Sequence, residues 1–189
     1  MKTPFVLIAF LFVALTASAD TLTFIGTGSN IVGSDYAYPY YFTVDGVDES
    51  LMCLSFNNHI TVGESWTTFE VPLTTPAELE AAWALNSAVL NPANADDAQL
   101  LAWSLFANDV TLTPGAEVLL SQAEAGYTSI NPADFILYVP TGDANSPDYP
   151  QVQLGEASPV SEPLSLFLLG SGLLVLVVVK GKVTSAYIG

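Results

Sequence analysis

Few residues in this 189-residue chain have the chemistry of a reactive centre. Cys53 is the only cysteine, so no disulfide forms within the chain. Its thiol is buried and inert, paired with another chain, or used chemically. His59 is the only histidine, which rules out a two-histidine metal site and an HExxH string. Nothing near it in sequence completes a nucleophile–base pair, so it reads as a loop or strand-edge residue. There is no Gly-x-Ser-x-Gly elbow. No Asp-x-Asp-x-Asp-Gly string marks a calcium loop. Two carboxylates can hydrolyse sugars, but 19 acids offer no preferred pair. These exclusions point away from an enzyme, a metal site and a bound cofactor.

Aromatic spacing offers a second kind of chemistry. Tyr36, Tyr38 and Tyr40 are two residues apart, so on a strand they share a face. With Trp66 they form a candidate stacking platform for sugar rings. The alternative is packing in a core or along a sheet edge.

The elements that must position these residues follow from periodicity. Thr21 to Thr27 alternates like a half-buried strand, and Gly28 to Ser34 reads as a loop. Tyr36 to Val44 is strand-like, with Pro39 marking an edge or bulge. Asp45-Gly46 signals a turn inside a longer hairpin loop to Ser50. Leu51 to Phe56 returns with both faces largely apolar, as in a strand between two layers. His59 to Val62 and Ser65 to Val71 complete an antiparallel first half. Thr75-Pro76-Ala77-Glu78 then starts a helix with a capping box and a proline in the first turn, running to about Leu85. A second helix runs from about Asp96 to Phe106, with two aspartates favoured by the helix dipole and apolar residues around most of its circumference. Thr113-Pro114 starts a third, which Gly126 stops. Phe135 to Val139 is an apolar strand, and Gln151 to Leu154 a short last one. Strands, helices, then strands predict an α+β domain: an antiparallel β-sandwich or barrel-like sheet with a small inserted helical layer.

Both ends read as addresses. Lys2, the apolar stretch Phe5 to Leu15 and Ala17-Ser18-Ala19 form a signal peptide over 1–19, cut before Asp20. The exported domain spans 20–155, and a linker with a Pro/Glu patch follows over 156–163. An uncharged apolar run of 16 residues extends from Leu164 to Val179. A bilayer span needs roughly 20 apolar residues, so flanking residues must dip inward and lysines snorkel. This predicts a membrane helix over 164–180 and a cytoplasmic tail over 181–189. Lys180 and Lys182 flank the helix on the cytoplasmic side. The net charge is −16, and the basic residues are Lys2, Lys180 and Lys182. The exported domain therefore holds no Lys or Arg and repels nucleic acid.

The tail resembles the PEP-CTERM sorting signal of exopolysaccharide-producing Gram-negative bacteria. Val160-Ser161-Glu162-Pro163 stands for its Val-Pro-Glu-Pro box, with Ser161 at the first proline. Gly170-Ser171-Gly172 interrupts the Leu-rich helix as in the family. The resemblance implies processing near the box by an exosortase, a membrane cysteine transpeptidase. The ectodomain also resembles PEP-CTERM ectodomains, through Cys53 to Phe56, Gly63 to Trp66 and Ala102 to Phe106. More weakly it resembles thioester-domain adhesins, which carry a Cys in a hydrophobic strand and a Gln at a helix start followed by Trp. Carried over, Cys53 is the thiol partner and Gln99 the acyl partner of an internal thioester. Met52, Leu54, Leu100 and Trp103 then supply a dry pocket, and an amine or hydroxyl is the acceptor. The sequence thus yields a non-enzymatic exported surface or matrix protein, with two alternatives: a covalent thioester adhesin, or a module binding exopolysaccharide.

Overall fold

In the computed structural model of the chain, described over residues 19–157 except 145, 147 and 148, Asp45-Gly46 closes a two-residue hairpin. Val44 pairs directly with Val47, and φ is 48° at Asp45 and 85° at Gly46. Positive φ at both central residues matches the right-handed twist of the flanking strands. The long hairpin loop expected to Ser50 is therefore replaced by a tight turn, and the returning strand starts at Val47. The signal peptide, the sorting box Val160 to Pro163, the membrane helix, Lys180 and Lys182 lie outside the described residues.

Six strands form a closed antiparallel barrel: β1 (Ala19–Thr27), β4 (Tyr40–Val44), β5 (Val47–Cys53), β8 (Gln153–Glu156), β7 (Phe135–Pro140) and β6 (Ser65–Val71), in that spatial order. The strands β2 (Ile31–Val32) and β3 (Asp35–Tyr36) make a small separate ribbon. The single strand expected from Tyr36 to Val44 is thus broken between Tyr36 and Tyr40. Pro39 lies in the break and has no N–H to donate to a ladder. His59 to Val62 is irregular rather than a strand. There Glu64 folds back, its backbone N–H donating to Thr61 O (2.9 Å) while its Oε2 accepts from Thr61 N (2.9 Å).

Between the adjacent strands β6 and β7 the chain makes α1 (Pro76–Leu90), α2 (Ala95–Phe106) and α3 (Pro114–Gly126). The capping box forms as expected: Thr75 accepts from Glu78 N, and Glu78 Oε2 accepts from Thr75 N at 2.8 Å. The helix runs one turn past Leu85 because Ala88 continues its buried face. The Asp97 carboxylate accepts from the Thr113 hydroxyl, tying the start of α2 to the start of α3.

Strand alternation divides the apolar residues between two cores. Leu22, Phe24, Phe42, Leu51 and Tyr138 fill the barrel, with Phe42 edge-on to Trp66 at 5.7 Å. Met52, Leu137 and Leu154 point outward, into a second core with alanines of α1 and α2. Small side chains there let the helices pack closely on each other and on the sheet.

Gly155 on β8 shows how tight the barrel is. A Cβ there would lie 2.6 Å from Leu51 Cδ2 and 3.3 Å from Tyr138 Cε2. Overpacking of this kind costs about 1–3 kcal/mol. Gly155→Val is expected to lower the denaturant midpoint by that amount with unchanged slope; an unchanged midpoint would show that the barrel has slack at this level.

Candidate functional site

Cys53 is the last residue of β5, and its alternation turns the thiol into the barrel. It is 1 % exposed. Burial pushes its pKa up to about 12, against the opposing effects of the Trp103 indole N–H, the Ser55 backbone and the Gln153 side chain. The thiol donates to Ser55 O at 3.4 Å. At neutral pH it is a thiol, not a nucleophilic thiolate.

Gln99 reaches this point from the other layer. It sits in the first half of α2, wholly buried, and its Nε2 donates to the Cys53 carbonyl oxygen at 2.6 Å. The two residues of the adhesin resemblance, 46 positions apart in sequence, are therefore in direct contact. Trp103 lies one helical turn after Gln99, on the same face of α2. Its indole N–H lies beside the Cys53 sulfur without completing a hydrogen bond. Gln153 closes the group from β8, where it pairs with Cys53 in register.

Three buried polar atoms around this thiol have no hydrogen-bond partner among the described residues: Gln99 Oε1, Trp103 Nε1 and Gln153 Oε1. An unmade buried hydrogen bond costs about 1–3 kcal/mol. One acyl carbon, one thiol and an unused N–H donor are assembled away from water. That is the inventory for acyl transfer between Gln99 and Cys53: an attacking sulfur, an amide carbon and a donor for developing negative charge.

A cleft of about 520 Å³ lies next to the site, with neither Cys53 nor Gln99 in its lining. Tyr40, Ser55 and Trp103 line it, and all three also neighbour Cys53. Its outer part carries Tyr36, Asp35 and His59. The four aromatics of the candidate sugar platform do not form one surface. Tyr36 is exposed and Tyr40 nearly buried, both lining this cleft. Tyr38 packs against the helical core, and Trp66 against the barrel core. The break at Pro39 ends the strand geometry that would have aligned the tyrosines. His59 lines the cleft rather than pairing with a nucleophile.

Ser55, Tyr40 and Gln153 were not singled out for this site in sequence. For Gln153 a signal exists: Gln151 and Gln153 are polar, two apart, and both buried, facing inward where a short strand should carry apolar residues. Among the described residues no group of three or more His, Cys, Asp and Glu is arranged to hold a metal. No helix among them is long and apolar enough to cross a membrane. Comparison of the chain with protein-family models, curated proteins and solved structures finds no match.

Burial makes a direct expectation for the thiol. Gln99→Met keeps the side-chain volume but removes the amide, so Cys53 must remain a free thiol. In this variant iodoacetamide at pH 8 is expected to label Cys53 only after unfolding in guanidinium. Labelling of the folded variant at the rate of a small-molecule thiol would contradict the buried site.

Proposed function

We propose that the protein is an exported surface protein whose barrel domain carries an internal thioester between Cys53 and Gln99, used to attach it covalently to a partner. The observation that supports this most is the buried contact of Gln99 Nε2 with the Cys53 carbonyl, beside a thiol ringed by unpartnered polar atoms. Sulfur attacks Gln99 Cδ, and the thiol proton leaves with the amide nitrogen as ammonia. The products are one thioester and one ammonia. Later an amine or hydroxyl attacks the same carbon, forming an amide or ester and returning the proton to Cys53. Each event occurs once per chain, so the protein is consumed rather than turned over and is not an enzyme.

The environment favours this chemistry in three ways. Exclusion of water by Met52, Leu54 and Leu101 slows hydrolysis of the acyl group. The cleft lined by Tyr40, Ser55 and Trp103 gives an acceptor a route to the site. The exported domain has no lysine to attack its own thioester. The signal peptide and the PEP-CTERM-like tail supply delivery and retention: export, membrane anchoring through residues 164–180, and processing by an exosortase-type enzyme.

Intact mass is the test. The exported chain is expected to weigh one ammonia less than its sequence requires, and to gain one methylamine after incubation with it. Cys53→Ser and Gln99→Met should both show the full mass and ignore methylamine. A wild-type mass equal to that of the unmodified sequence would remove the thioester. Trp103→Phe, which removes the N–H donor together with part of the buried ring, is expected to slow methylamine uptake at least about 10-fold by analogy with single oxyanion donors.

A second reading is supported by Tyr36 and Tyr40 in the same cleft: non-covalent binding of exopolysaccharide between aromatic walls. Tyr36 is half exposed and makes no core contact, so its truncation should leave the fold intact. Tyr36→Ala is expected to weaken retention on the producer's own polysaccharide at least tenfold; unchanged retention would count against the cleft as a sugar site.

A further inference from the structure

One end of the barrel gathers carboxylates. Asp20 is the second residue of β1, Asp45 sits in the β4–β5 turn, Glu49 lies on β5 and Glu70 is the last but one residue of β6. Asp45 Oδ1 accepts from Thr21 N at 2.8 Å, which brings its carboxylate against the first residues of β1. Glu49 Oε2 accepts from the Tyr138 hydroxyl at 3.4 Å. Asp20 is the buried member, 7 % exposed, and its Oδ2 has no hydrogen-bond partner among the described residues. Burial first, then the neighbouring acids, hold the carboxyls of Asp20 and Glu70 above the usual range. A buried carboxylate among like charges requires a counter-charge or a proton. The domain has no Lys or Arg to offer, and His59 lies in the cleft lined by residues near Cys53.

The sequence supplies one cation, at this position. Hydrolysis of the Ala19–Asp20 bond by a signal-peptidase-type enzyme consumes one water and leaves a carboxylate on Ala19 and an α-ammonium on Asp20. We propose that the α-ammonium created at Asp20 by export is the counter-ion of the Asp20, Asp45 and Glu70 carboxylates, so that cleavage completes this end of the barrel. Before the cut, the same nitrogen is an uncharged amide and the acids face each other unpaired. After it, the one primary amine of the domain is on the residue whose own carboxylate neighbours those of Asp45 and Glu70. The ammonium is also kept out of reach of the site: the β4–β5 turn and Cys53 lie at opposite ends of β5 (Val47–Cys53), about 20 Å of strand. The inference rests on the export reading and is independent of the thioester.

The groups facing the ammonium set its pH window: its own carboxyl, Asp45 from the turn, Glu70 from β6, and beyond them Glu49 and Tyr138. An amine gaining carboxylate partners has its folded pKa raised above the ordinary value of about 7.7–8.0. Its stabilisation is fully present below that ordinary value and is lost as pH rises through the folded one. At acid pH the carboxyls protonate and the pairing is lost again.

Three forms of the exported chain test this: one starting at Asp20 with a free amine, one starting at Asp20 and acetylated, and one starting at Ala19 with a free amine. The first is expected to melt about 3 °C above the other two at pH 7, the scale of one modest interaction in a domain of this size. The gap should close as pH rises through the raised pKa of the amine, and shrink in 1 M salt. Asp45→Asn retains the turn, since Asn tolerates positive φ, and should also narrow the gap. Equal melting of all three forms at pH 7 would overturn the proposal, as would N-terminal sequencing of the exported chain that starts anywhere but Asp20.

Discussion

The hydrogen bond from Gln99 Nε2 to the Cys53 carbonyl oxygen joins the two layers of this protein at the point where neither can satisfy itself. β5 pairs with β8 only at Met52 and Cys53, and the chain then leaves the barrel. The carbonyl of Cys53 is left inside, where an unpaired acceptor is costly. A glutamine is long enough to reach it from α2, and its position depends on the helix being held. The capping box at Thr75 starts α1, the alanine-rich contact sets α2 against α1, and the Asp97–Thr113 hydrogen bond fixes the start of α2 on α3. The helical layer inserted between β6 and β7 thus delivers one amide to one strand end. The same contact that completes the fold sets the Gln99 amide against the backbone of the residue that carries the thiol.

Charge is the second constraint. With no Lys or Arg between residues 20 and 155, no Lys or Arg ion pair is available within that stretch, and none of its three α-helices has a basic residue in its last turn. Stability must come from two apolar cores, from caps, and from keeping acids at the surface. Asp20 is the exception that calls for a cation. The absence of lysine has a chemical consequence as well as an electrostatic one. A domain without lysine can hold an activated acyl group without acylating one of its own side-chain amines.

Much of this was legible in the sequence, and the failures have particular causes. The caps at Thr75 and Thr113 named their helices because side-chain capping is local chemistry. The alternation of Leu51 to Leu54 showed a strand between two layers, and Leu51 and Cys53 do face the barrel while Met52 and Leu54 face the helices. The barrel closure was left open between sandwich and barrel, because closure depends on the non-local β6–β1 and β5–β8 pairs. Tyr36, Tyr38 and Tyr40 do not share one strand face, because a period of two holds only while the strand lasts, and the chain is not a strand between Tyr36 and Tyr40. Cys53 and Gln99 entered together through resemblance; nothing in local pattern places residues 46 apart in contact. Gln153 was missed although a polar residue in an apolar strand is a readable sign of a buried polar site.

The central claim is a covalent bond between two named residues, and peptide mapping reads it directly. The chain has no tryptic site between Asp20 and Glu162, so it is digested with pepsin at acid pH, where thioesters persist. The expected result is a linked pair of peptides, one containing Cys53 and the other Gln99, which separates on treatment with hydroxylamine. Recovery of the two peptides unlinked, with a free thiol on Cys53 and an intact amide on Gln99, would contradict the account.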